Sequence, residues 1–184
     1  TNEDEYKWDT MLAYTKDQYH VSLTLSQQHE DWTSFEYFAT TAAHDVEEDT
    51  NATAYAARAY WRPQESGTAT PEISVGYDVI SFDGQTGNNV KEATSYFVGL
   101  GWPDMFSDGD YIGVGFGQPL KVTETANGSA ADDAGLSPLL WELTYSFKVN
   151  DSVTMIPTIF GGTDIQSSTD EDIFGAAITT KFKF

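Results

Sequence analysis

The chain has 184 residues, no cysteine, a formal net charge of -20 and 14% aromatic residues. Absence of cysteine excludes a disulfide scaffold and a thiolate metal site. The acidic balance argues against nucleic acid as a partner, because phosphates would be repelled, and the aromatic content is too high for a disordered acidic tail. No apolar run approaches the roughly 20 residues of a membrane-spanning helix, and no basic region followed by an apolar one marks a signal peptide.

Taken in order, the chain alternates with the period of two that belongs to β-strands. Trp8, Leu12 and Tyr14 share one side of the first segment, and Val21, Leu23 and Leu25 oppose Ser22, Thr24 and Ser26. The stretch Phe35 to Thr41 is the weakest candidate strand. Tyr55, Ala57, Ala59 and Trp61 then oppose Ala56, Arg58, Tyr60 and Arg62, and Ile73, Val75, Tyr77 and Val79 oppose Glu72, Ser74, Gly76 and Asp78. Tyr96 to Trp102, Ile112 to Phe116 and Trp141 to Val149 repeat the pattern, the second with Gly113, Gly115 and Gly117 as its opposite side.

The final stretch, Phe174 to Phe184, places Phe174, Ala176, Ile178, Thr180, Phe182 and Phe184 on one face and Gly175, Ala177, Thr179, Lys181 and Lys183 on the other. A last strand that is aromatic to its end resembles the closing strand of an outer-membrane β-barrel. About ten strands are expected, most near the 9–11 residues that cross a membrane. The connections fit this: Asn150 to Ser152 is short, whereas Gly161 to Asp172 and Gln118 to Pro138 are long and polar. The expected fold is all-β, an antiparallel transmembrane barrel occupying residues 1–184 as one domain. A soluble β-sandwich gives the same alternation, so an extracellular sandwich binding carbohydrate or an adhesion partner stands as the alternative.

Four stretches carry a family resemblance. Ala93-Thr-Ser-Tyr-Phe-Val-Gly-Leu-Gly-Trp102 with Gly113-Val-Gly-Phe-Gly-Gln-Pro119, and Pro138-Leu-Leu-Trp-Glu-Leu-Thr-Tyr-Ser-Phe-Lys-Val149 with Val153 to Phe160, resemble cyanobacterial outer-membrane porins, relatives of carbohydrate-selective porins. The Asp170-Glu-Asp172 cluster and the Thr-Thr-Lys-Phe-Lys-Phe ending continue the likeness. The resemblance implies an outer-membrane, trimeric diffusion pore for small solutes, in some members inorganic ions, in contact with outer-membrane lipid. It also implies a surface-layer-homology segment and spacer ahead of a larger barrel, which these residues do not contain. The chain is therefore either the C-terminal portion of such a porin or a small barrel, and a small barrel fills its interior with side chains. A non-conducting barrel acting through its loops is the corresponding alternative.

In a pore, residues facing water sort the solutes. Parity assigns Arg58, Arg62, Glu72, Asp78, Glu142, Lys148, Lys181 and Lys183 to that face, with acidic loops above a more basic throat. The same ions could instead pair across strands. Trp61, Trp102, Trp141, Phe182 and Phe184 fit the aromatic belt at the membrane interface. The three glycines Gly113, Gly115 and Gly117 leave a low patch open to a backbone, a loop or a sugar, or mark a bend in the wall.

Enzymatic function and cofactors are not expected. His20, His29 and His44 are the only histidines and lack zinc-site spacing. The carboxylates at Asp45 to Asp49, Asp108 and Asp110, and Asp170 to Asp172 lack the spacing of an EF-hand and read as solvated loops.

Overall fold

A computed structural model describes residues 6–29, 46, 50–128, 138–164 and 172–184. Within them are nine strands: β1 (Tyr6–Lys16), β2 (Tyr19–His29), β3 (Asn51–Trp61), β4 (Glu72–Phe82), β5 (Val90–Pro103), β6 (Tyr111–Thr125), β7 (Leu139–Asn150), β8 (Val153–Thr163) and β9 (Ile173–Phe182). They form one antiparallel sheet in which each strand pairs with the next in sequence. Roughly ten strands were expected; the tenth candidate, Phe35 to Thr41, lies outside the described residues.

The expected ring closure is not present among the described residues. β1 pairs with β2 alone and β9 with β8 alone, so the sheet has two free edges. Each successive antiparallel pairing reverses direction, so the first and ninth strands run the same way, and joining them directly would need a parallel seam.

The register divides the sheet into two chemically distinct faces. Residues directly opposite one another in neighbouring strands share a face. One such row runs Ser22, Arg58, Gly76, Phe97, Gly117, Leu140, and a second runs His20, Tyr60, Ser74, Gly99, Gly115, Glu142. This is the polar face. On the other, Val21, Ala59, Val75, Val98, Phe116 and Trp141 line up across six strands. That apolar face is largely uncovered: Leu12 is 75% exposed, Leu23 58%, Tyr77 50% and Ile178 68%.

Two prolines shape the ladder. Gln118 to Pro138 was expected to be one long loop, but β6 continues through Pro119 to Thr125. The β5–β6 register shifts between Thr94 and Tyr96, where an extra β6 residue opposes Ser95. A bulge tolerates the missing N–H of proline, and it reverses the facing of everything beyond. Leu120 and Val122 thereby join the polar-face side. There Val122 packs with Ala52, Ile80, Phe82, Val90 and Ala93 in the one buried apolar cluster of the described residues, flanked by Val46, Ala54 and Leu120. Pro157 lies inside β8, and the β7–β8 pairing lapses opposite it, between Thr144↔Thr158 and Phe147↔Met155.

Connections alternate between two rims. Among the described residues, 17–18, 62–71, 104–110 and 151–152 lie at one rim, and 50, 83–89, 126–128, 138, 164 and 172 at the other. The first rim is knitted together by backbone bonds: Arg62 N donates to Gln18 O at 2.9 Å, Gly67 N to Pro103 O at 2.9 Å and Lys183 N to Ser152 O at 2.9 Å.

Candidate functional site

Six of the eight charged residues expected to face water, Arg58, Glu72, Asp78, Glu142, Lys148 and Lys181, share the polar face by register; Arg62, just past β3, borders the same cleft beside Glu72, and Lys183 lies just past the end of β9. They do not behave alike. Arg58 Nη2 donates to both carboxylate oxygens of Asp78, at 2.7 and 2.9 Å, and its Nη1 reaches the carbonyls of Ala57 and Tyr77 at 3.0 and 3.3 Å. Ser95 Oγ donates to the same carboxylate at 2.9 Å, and the Phe97 ring lies 5.4 Å from the guanidinium. Arg62 lies 3.5 Å from Glu72 and 4.6 Å from the Tyr60 ring. Four of the eight thus neutralise one another in pairs, the cross-strand pairing that was the less specific of the two sequence readings. Among the described residues, Glu142, Lys148, Lys181 and Lys183 form no ion pair. Arg62, Lys148, Lys181 and Lys183 sit towards the rim of the 151–152 turn.

Of the five aromatics expected at a membrane interface, Trp61, Trp102, Trp141 and Phe182 lie on the apolar face by register, at both rims. Trp61 and Phe182 end β3 and β9, and Trp102 is one residue from the end of β5. Phe184 follows Phe182, their rings 6.5 Å apart. Trp141 is near the start of β7, at the opposite rim, 6.1 Å from the Phe174 ring. Trp102 also donates its indole N–H to Ala69 O at 3.0 Å.

The glycine patch is wider than Gly113, Gly115 and Gly117 suggested. The register adds Gly76, Gly99 and Gly101 from β4 and β5. Most of these glycines are needed because a neighbour lies across them. A methyl group at Gly76 would overlap Phe97, one at Gly101 would overlap the Tyr111 phenol, and one at Gly117 would overlap the Tyr96 carbonyl. Gly115 is the exception, with nothing within 4 Å of such a methyl. Around this floor Tyr60, Arg62, Glu72, Ser74, Tyr111, Glu142 and Thr144 border a cleft of about 320 Å³. Sequence reading singled out Gly113, Gly115 and Gly117 but not Tyr111, which has the same parity and was the available signal.

At the rim, Asp110 is 3% exposed and organises its loop. Its carboxylate accepts backbone N–H bonds from Met105 (2.8 Å), Phe106 (3.1 Å) and Ser107 (3.0 Å), and a hydroxyl bond from Tyr145 (3.0 Å). Burial opposes ionisation, but the Tyr145 hydroxyl and the three amides outweigh it and hold the carboxyl below its ordinary range. Asp104 is lowered too, by a Ser66 hydroxyl and the Gly109 N–H, with Lys148 nearby. These oxygens are engaged in holding the loop, which accounts for Asp110 without a metal. No cluster of three or more potential metal ligands occurs among the described residues. Asp45, Asp49, Asp170 and His44 lie outside them.

His20 faces the polar side as parity required, 2.7 Å from Thr15 Oγ1 and stacked on Tyr60 at 5.1 Å. Comparison with protein-family models, with curated proteins and with solved structures gives no match.

Proposed function

We propose that these strands form part of the wall of an outer-membrane β-barrel pore that passes small hydrophilic solutes or ions by passive diffusion. The observation that carries this reading is the two-faced sheet. Apolar side chains stand exposed across all nine strands on one side, while the other holds Arg58, Glu72, Asp78, Glu142, Lys148 and Lys181; Lys16, Glu92 and Lys121 fall on the apolar side towards the ends of their strands. In water, an apolar patch of that extent is an unstable surface; against lipid it is the required one. Strand length agrees. Eleven residues at about 3.4 Å each, tilted by about 45°, cross roughly 26 Å, close to the apolar band of such barrels.

The free edges bear on size. An unpaired strand edge facing lipid costs several kcal/mol for each unsatisfied backbone group, so the working form has both edges paired. Closing the ring with antiparallel pairs takes an odd number of further strands between β9 and β1. One further strand would close a small ring filled by side chains, and a larger odd number a barrel with room for water; the porin resemblance favours the larger, trimeric form.

Single-channel recording of detergent-purified chain in a planar bilayer tests the reading. Stepwise openings whose size scales with salt concentration are expected from the closed assembly. A chain that is folded and monodisperse without detergent would overturn the membrane assignment and favour a soluble binding protein.

A further inference from the structure

The polar-face cleft points to a specific class of solute. Tyr111 leans back from the start of β6 across two glycines. The Gly101 methyl position would lie 2.7 Å from its Cζ and the Gly113 position 3.2 Å from its Cε1. With glycine at both places the ring rests over bare backbone, and it stays 37% exposed. Carboxylates border this platform. Glu72 is already satisfied by Arg62 at 3.5 Å, whereas Glu142 lines the same cleft with no ion pair among the described residues. Gly115, directly opposite Glu142 in the register, leaves the floor beside the carboxylate open. Thr144 and Ser74 supply hydroxyls at the margin.

An accessible aromatic ring in the same cleft as a carboxylate without an ion pair attracts a cation both through the ring quadrupole and through Coulomb attraction. A bare metal ion would find too few oxygen ligands, since Glu72 is engaged. An anion would meet Glu142. We infer that this cleft is a binding subsite for small organic cations, protonated or quaternary amines, with Tyr111 as the platform and Glu142 as the counter-charge. The inference rests on the polar face being wetted, as in the proposed pore, and does not require that the pore conduct.

Calorimetric titration of the detergent-solubilised chain with choline, with glucose and with acetate tests it. Choline binding is expected, with glucose and acetate at least tenfold weaker. Tyr111→Leu and Glu142→Gln should each weaken choline binding tenfold or more, while Tyr111→Phe, which keeps the ring, should retain it. Gly115→Leu fills the open floor and should abolish binding; circular dichroism and heat-modifiable gel mobility verify that each variant is folded. Equal binding of glucose, or choline binding indifferent to both Tyr111→Leu and Glu142→Gln in folded protein, overturns the inference. Channel recordings separate the two readings: conduction without choline binding removes the subsite alone, and choline binding without conduction removes the pore alone.

Discussion

The Arg58 guanidinium and the Asp78 carboxylate are joined through one nitrogen to two oxygens, at 2.7 and 2.9 Å, two positions out of direct cross-strand register. Gly76, directly opposite Arg58, makes this diagonal reach possible, because the arginine stem lies over it. With side chains 37% and 30% exposed, the pair is only partly screened from water. Removing Asp78 alone strips the guanidinium of its charged acceptor and should cost about 1–3 kcal/mol, read as a lowered urea midpoint. The double variant Arg58→Ala with Asp78→Ala should cost less than the two single changes summed, as coupled residues do. Reversal potential in a salt gradient should follow charge: Arg58→Ala moves it towards cation preference, Asp78→Ala towards anion preference, and the double variant leaves it near the parent value. An unchanged potential in both single variants would place the pair off the ion path.

Glycine substitutions on the polar face should divide sharply. Gly76→Ala drives a methyl into the Phe97 ring and to 2.9 Å from the Arg58 Cδ, and Gly117→Ala drives one into the Tyr96 backbone. Overpacking of this kind costs about 1–3 kcal/mol, with Gly117 at the upper end because backbone cannot rotate away. Gly115→Ala meets nothing and should leave stability unchanged or slightly raised, since glycine weakens a strand. Denaturant midpoints in detergent measure all three; equal losses would mean that the crevices relax freely.

What could be read from the sequence was the part carried by strict alternation. Trp141 to Val149 sits inside β7, and the terminal strand forms as expected but ends at Phe182, two residues short of the expected Phe184. Six of the eight charged residues share a face because period two is a property of the strand itself. What escaped notice was what breaks the period. Pro119 reads as the end of a strand, yet the bulge beside it carries β6 six residues further and turns Val122 into the buried cluster. Pairing between Arg58 and Asp78 depends on register between two strands, which neither strand encodes alone. Ring closure depends on strand parity over the whole sheet, and a single slip in the count changes the answer.

The rim loop should respond to acid. Asp110 and Asp104 both have folded-state pKa values below the ordinary value of 3.8. A lowered folded value stabilises the native form fully above the unfolded pKa, and the contribution is lost as pH falls below about 4 towards the folded values. Protection of the Met105, Phe106 and Ser107 amides, taken as exchange relative to the intrinsic rate at each pH, should therefore fall below about pH 4 while amides of mid-β4 stay protected. Asp110→Asn loses the charge that three N–H groups and Tyr145 converge on. Its loop amides should exchange faster at neutral pH and show a flatter acid dependence. Identical pH profiles for the variant and the parent would exclude Asp110 as the acid-sensitive group.

The two faces make opposite demands on a charge, and this separates lipid from water as the outer solvent. Leu143 stands mid-strand on the apolar face between Val114 and Ile159, and it is 40% exposed with no apolar layer covering it. Ala177 stands on the polar face of β9 opposite Thr158. In a lipid-embedded sheet, Leu143→Lys brings an ammonium into hydrocarbon and should destabilise by about 2–4 kcal/mol near the midplane. Ala177→Lys should change stability by less than about 0.5 kcal/mol, as surface substitutions do. Folding yield into phospholipid vesicles and urea unfolding from them measure both. Were water the solvent on the Leu143 side, the same lysine would replace an exposed apolar group with a solvated one, and Leu143→Lys would fold as well as the parent and be more soluble. The sign of that one difference decides what the apolar face is built to touch.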